Sequence, residues 1–226
     1  MAWGRASDAE VASNRHRFLA KHGCRPERSV AIDQVHSANI IRVGEADLGH
    51  GISDPESRIP ETDGMITDYP GLVLVTSHAD CAPLYLLDDK HHAIGLVHAG
   101  WKGILAGIAG NAIRDMHNAF GTDGSDLYAA TGPMISTPHY EVGADLARQF
   151  TDRFGVQVVT QRNGRLHLDL FACLIVDLLG NGLRPERIPA RPPCTFTNNE
   201  YSSFRRDGER MQGMIAYLRI AATLPE

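Results

Sequence analysis

Three side chains that bind transition metals stand at the ends of apolar, strand-like runs: His36 after "AIDQV", Cys81 after "LVLVTSHAD" and His98 at the end of "AIGLV". Strand ends are where a rigid scaffold delivers functional groups to loops. Two imidazoles and one thiolate suit Zn²⁺ and leave a fourth position for water or substrate. Such an ion would bring the pKa of a bound water toward neutrality. Asp80, beside Cys81, is placed to orient a ligand or carry a proton. The gaps of 45 and 17 residues match no compact zinc motif, and H-E-x-x-H is absent. The residues alone therefore leave three readings open: a metal centre, a Cys81 nucleophile with His98 as its base, and a buried thiol with two structural histidines.

Other stretches carry charge at useful places. In "VHAGWKG", Gly100 and Gly103 permit close backbone approach, and Lys102 adds charge at a helix start, where free N–H groups favour anions. In "YSSFRRDGERM", Arg205 and Arg206 can form a phosphate fork or a solvated turn. Asp63, in "TDGMIT", reads by itself as a turn signal. His78 and His139 read as structural histidines. Cys24, Cys173 and Cys194 read as core or loop thiols. The eleven histidines include no H-x-H pair, which disfavours a multicopper oxidase; a lone His₂Cys copper site stays possible in principle.

The elements that must hold these groups follow from pattern. Ala9 to Lys21 reads as a helix closed by Gly23. "SVAID" and "NIIRV" read as strands flanking the His36 loop, and 44–64 as a surface loop rich in Gly, Asp and Pro. "GLVLVT", "PLYLLD" and "AIGLVHA" are apolar strands, the last two joined by a turn at "DDKH". From Trp101, apolar residues recur every three or four positions through Met116, predicting one amphipathic helix stopped by Gly121. "DLYAATGP", "VQVVT", "LHLDL" and "MIAYLRI" read as strands, and "GADLARQFTDRF" and "LFACLIVDLLGNG" as helices. Hairpin-like pairs predict mixed sheets, and with no linker or repeat the whole of 1–226 reads as one domain.

The chain has 226 residues and a net charge of −5, so it has no global attraction for nucleic acid or an anionic membrane. No apolar run spans a bilayer, and the N-terminus lacks a signal-peptide core. The expectation is a cytoplasmic protein with unpaired cysteines, acting on small molecules; nothing in the sequence names a protein partner.

"QVHS", "TDGMIT", "ADCAPLYLLD", "GLVHAGWKGILAGI", "GPMISTPHYEVG" and "FRRDG" occur in this order. Together they closely resemble the YfiH-like family, long called laccase-like or multicopper polyphenol oxidases and now regarded as purine nucleoside phosphorylases with adenosine deaminase side activity. The resemblance runs from about Asn14 to Leu218. It implies an α+β fold, a compact αββα layered domain with mixed sheets (the YfiH-like or CNF-like fold). It implies that His36, Cys81 and His98 bind one zinc, with copper the alternative. The implied reaction is phosphorolysis of adenosine, inosine or methylthioadenosine to free base and ribose 1-phosphate. On that reading Lys102, Arg205 and Arg206 are the expected phosphate- or substrate-binding groups, and Asp63 and Asp80 the expected acid/base or orienting groups. Similar proteins usually carry a glycine-rich segment and a Ser-Leu-Asn-Leu-like stretch ahead of the first helix; here that helix begins at about Ala9.

Overall fold

The computed structural model describes residues 7–221. In chain order the elements are α1 (Asp8–Lys21), β1 (Ser29–Ala31), β2 (Ile40–Arg42), β3 (Gly64–Thr67), β4 (Val73–His78), β5 (Ala82–Asp88), β6 (Ala93–Ala99), α2 (Trp101–Leu105) and α3 (Ile108–Phe120). They continue with β7 (Tyr128–Thr131), β8 (Glu141–Val142), α4 (Ala144–Phe154), β9 (Val159–Arg162), β10 (Arg165–Leu168), α5 (Leu170–Gly180), α6 (Phe204–Asp207) and β11 (Met214–Arg219).

Two mixed sheets stack face to face between helices. The larger runs β2-β3-β6-β5-β7 and the smaller β1-β4-β11; β8-β10-β9 forms a separate antiparallel flap. Strand alternation builds the layers, because successive side chains point to opposite faces. In β4, Leu74 enters the core between the two sheets, while Val73 and Val75 face the layer of α1 with Leu19. In β6, Ile94 and Leu96 face the inter-sheet core, while Ala93, Val97 and Ala99 face α3 and α5. Strands buried on both faces lose polar alternation, which is why β6 reads as an unbroken apolar run. The result is the expected α+β fold in αββα layers with mixed sheets.

Three local expectations are corrected. The helix predicted from Trp101 is broken after Leu105: Gly107 adopts φ +82°, and α3 restarts at Ile108. Only glycine enters that left-handed region freely, and the apolar period continues across the break because both pieces face the same core. "VQVVT" begins as a 3₁₀ turn, with the strand starting at Val159. The 44–64 segment is not only surface: Ile52 lies in the α1 layer, 1% exposed, and Gly51 accepts a hydrogen bond from buried Arg15 at 2.6 Å.

Candidate metal centre and its surroundings

Sheet register explains how distant residues meet. The β5–β6 hairpin pairs Ala82 with Ala99 and Pro83 with His98, so one step further sets Cys81 opposite Gly100. The 17-residue gap between Cys81 and His98 is thus hairpin geometry. On the other side of β6, Gly64 pairs with Val97. That puts Asp63 against His98, whose backbone N–H donates to the Asp63 carbonyl at 2.7 Å.

Asp63 organises the centre. It is fully buried. Its Oδ1 accepts from the His36 backbone N–H at 3.0 Å and from His98 Nδ1 at 2.8 Å. Its Oδ2 accepts from the backbone N–H groups of Val35 and Ser37 at 3.2 and 2.6 Å, and from the Ser37 hydroxyl at 2.8 Å. Burial opposes ionisation of Asp63, but the hydrogen bonds from His98 and Ser37 prevail and hold its pKa below the ordinary value. These bonds secure His36 in a left-handed conformation, φ +62°, which costs a non-glycine residue about 1–2 kcal/mol. They also commit His98 Nδ1 as a donor and leave Nε2 free to ligate, the usual arrangement behind a metal-bound histidine.

His36, Cys81 and His98 are brought together: their ligating atoms all lie within 4.8 Å of one another, the only such group found among the described residues. Cys81 Sγ stands 3.8 Å from His36 Nε2. A tetrahedral zinc with ordinary bond lengths separates sulfur and nitrogen ligands by about 3.6 Å, so the donor set fits a metal with little movement. Gly100 makes room. A Cβ there would sit 2.7 Å from His36 Cδ2 and 3.1 Å from Cys81 Sγ.

Protons hold the metal-free centre together. Burial opposes ionisation of Cys81, yet the His98 charge and the histidine hydrogen bonds overcome it and lower the thiol to about 6. Burial likewise opposes charge on His98, but the Cys81 thiolate and then Asp63 raise it to about 9. A thiolate–imidazolium pair results. The His98 contribution to stability is complete below its ordinary 6.5 and is lost as pH rises through about 9. The Cys81 contribution is complete above its ordinary 9.0 and is lost as pH falls through about 6. A metal must displace the His98 proton, whereas the Cys81 proton has already left above about 6. Metal affinity is therefore expected to rise ~10-fold per pH unit from about 7 to about 9, with one proton released per ion, and then to level off. Chelator competition in weakly buffered solution measures both quantities, and a flat profile would contradict the ion pair.

The remaining expected residues have different fates. Asp80 (φ +80°) is buried beside the centre, with both oxygens engaged: Oδ1 by the Thr195 hydroxyl at 2.5 Å and Oδ2 by the Arg205 backbone N–H at 2.7 Å. It is built to orient, tying the Cys81 turn to two C-terminal loops. The two arginines do not form a fork. The Arg206 guanidinium donates to the carbonyls of Thr195 at 2.8 Å and Tyr201 at 2.8 Å and pairs with Asp207, so it braces its own loop. Arg205 is exposed; it reaches the Glu141 carbonyl at 3.1 Å and lies 5.0 Å from the Tyr140 ring centroid. Lys102 is exposed at the start of α2, 5.6 Å from the Trp101 ring. His78 lies outside the ligand group. It spans Thr76 Oγ1 at 2.8 Å and the Cys81 carbonyl at 3.2 Å, and burial, aided by the His98 charge, holds it well below its ordinary pKa. The His139 ring stacks on Phe196 at 4.4 Å.

Sequence reasoning missed Tyr140 and Thr195. Burial, and then the nearby Cys81 thiolate, raises the Tyr140 phenol far above its ordinary pKa, so Tyr140 borders the centre as a neutral group. Its signal was its place in "PHYEVG"; Thr195 had none, lying 115 residues from Asp80.

Layered αββα sheets carry, at one end of the interior strands β5 and β6, a His–Cys–His group with the donor types to hold a metal ion, His98 buried and His36 and Cys81 half-buried. The chain belongs to the family described as multi-copper polyphenol oxidoreductase laccase, the YfiH-like family, whose sequence model matches residues 4–221. It is 32% identical over 188 residues to the purine nucleoside phosphorylase of Bacteroides thetaiotaomicron, covering 81% of this chain and 70% of that one. It is 33% identical over 208 residues to the purine nucleoside phosphorylase of Deinococcus radiodurans, covering 92% and 76%. Its structure resembles the crystal structure of YlmD from Geobacillus stearothermophilus with a TM-score of 0.92 and 28% identity, over 98% of this chain and 84% of that one.

Proposed function

We propose that this protein is a zinc-dependent purine nucleoside phosphorylase that converts adenosine, inosine or methylthioadenosine and phosphate into free base and ribose 1-phosphate, and deaminates adenosine as a side activity. The observation that carries the reading is the convergence of His36, Cys81 and His98 with His98 oriented by Asp63, in a chain one-third identical to proteins named for that reaction.

In phosphorolysis a phosphate oxygen attacks the anomeric carbon as the glycosidic bond breaks and the base departs. The chain must therefore gather an anion and a neutral nucleoside. Lys102 and Arg205 supply positive charge for phosphate, acting by position and electrostatics. Asp80 fixes the Arg205 backbone relative to Cys81. Bound zinc would supply Lewis acidity at His36, Cys81 and His98. Among the described residues the one group of three ligands is too few for a multicopper centre; a thiolate with two imidazoles is an ordinary zinc donor set, so zinc is the metal of this reading and a lone copper ion its alternative. The reaction needs neither nucleic acid nor a membrane, and no helix among the described residues is long and apolar enough to cross one. Cytoplasmic residence, where reduced thiols persist, accords with the four unpaired cysteines.

The test is to incubate metal-analysed protein with each nucleoside, with and without phosphate, and to separate the products. Free base and ribose 1-phosphate are expected only with phosphate, and inosine from adenosine without it. No reaction under either condition would remove the enzymatic reading. A second reading, a thiol hydrolase, is favoured by one observation: Cys81 Sγ lies 3.8 Å from His36 Nε2, in a cluster whose His98 charge pushes the thiol down. An active, metal-free enzyme inactivated by alkylation of Cys81 would establish it instead.

A further inference from the structure

The β8-β10-β9 flap carries a second concentration of chemistry that the metal centre does not use. Asn163 and Gly164, at φ +49° and +76°, make the two-residue turn of a tight hairpin. That turn pairs Arg162 directly with Arg165 across β9 and β10. His167, two residues along β10, shares the face of Arg165 and pairs with Glu141 on β8. Arg162, Arg165, His167 and Glu141 thus stand on one face, while Val142, Val159 and Leu168 face the core on the other.

Like charges set opposite each other on a sheet are unfavourable. Glu141 offsets one of them, pairing with Arg165 at 2.8 Å. Arg162 has no partner among the described residues. His167 is only 9% exposed, and its buried Nδ1 has no hydrogen-bond partner, a condition that ordinarily costs stability. These groups, with Asn163, Pro138 and His139, line a cavity of about 770 Å³. Small-molecule sites span roughly 300–1,000 Å³, so the space exceeds what a bare phosphate would fill. Arg205 separates cavity and metal centre: its guanidinium donates to the His139 and Glu141 carbonyls, and its backbone N–H to Asp80.

We propose that this cavity binds the phosphate group of a small phosphorylated molecule, with Arg162, Arg165 and His167 as its donors. Arg162 and Arg165 present guanidinium forks suited to phosphate oxygens. A modest rotation of the His167 ring would give its unpartnered nitrogen an acceptor. The ligand's remaining atoms occupy the space beyond the arginines.

Titration calorimetry on the full-length, metal-loaded chain tests this, with ribose 5-phosphate and inorganic phosphate as probes and ribose as the uncharged control. Saturable binding of the phosphorylated probes and none of ribose is expected. Arg162→Gln should weaken binding at least ~10-fold, and Arg162→Lys should restore part of it. His167→Gln should also weaken it; if that variant folds poorly, the exposed Arg162 position still decides. Tighter binding of ribose 5-phosphate identifies a phosphate ester as the ligand, and equal affinities identify free phosphate. Absence of saturable binding, or an unchanged affinity in Arg162→Gln, overturns the proposal. Phosphorolysis measured on the same samples keeps the two readings apart: its absence would remove the proposed reaction and leave this site standing.

Discussion

Replacing Cys81 by serine is expected to strip the metal from the protein and, with it, metal-dependent turnover. Serine is nearly isosteric but is not ionised near neutrality, so it offers a neutral oxygen where a thiolate stood. Structural zinc binds with about 10–16 kcal/mol shared over four ligands, or ~3 kcal/mol each. Losing one of only three protein ligands therefore costs ~100-fold or more in affinity. Elemental analysis after gel filtration should find about one ion per wild-type chain and essentially none in Cys81→Ser. The substitution also removes the anion that raises His98 to about 9. In metal-free protein the His98 imidazole should then titrate at lower pH, visible in its proton resonances. Full metal retention in the variant would refute the ligand assignment. Retention with an unmoved His98 titration would refute the ion pair as well.

The parts of this site legible in the sequence are those whose cause is local. β6 announces itself because burial on both faces removes polar alternation, and β5 because it is apolar even at exposed Leu87; their hairpin sets Cys81 near His98 once register is known. The break at Gly107 was hidden because the apolar period runs through it. The Arg205–Arg206 pair illustrates a different limit. Adjacent residues in a one-turn helix point in different directions, and only the partners, the Thr195 and Tyr201 carbonyls for one and the Glu141 carbonyl for the other, decide which guanidinium is spent on the fold. The grouping of His36, Cys81 and His98 was legible chiefly through family resemblance, since the 45-residue gap from His36 to Cys81 carries no periodicity.

Asp63 is the strongest case of a local signal concealing a distant role. "TDG" satisfies the composition of a turn, yet the carboxylate receives its hydrogen bonds from residues 35–37 and from His98. Asp63→Asn is accordingly expected to be among the most damaging single-atom changes in the protein. The amide replaces one acceptor oxygen with a donor. It must turn N–H toward either the His36 N–H and His98 pair or the Val35 and Ser37 group, leaving buried donors opposed in both cases. Breaking a buried charge pair from one side costs about 3–5 kcal/mol. For a domain of this size that is ~6–20 °C in melting temperature. Loss of the partner that orients His98 should independently lower metal affinity about 10–100-fold. The wild-type carboxylate is held below its ordinary pKa, so its contribution is complete above that value and is lost only as pH falls through the depressed one. The gap in melting temperature between wild type and Asp63→Asn should therefore persist from pH 8 to pH 5 and close in stronger acid. A gap that vanished near neutrality would show that Asp63 is not the buried anion holding His36 and His98 in place.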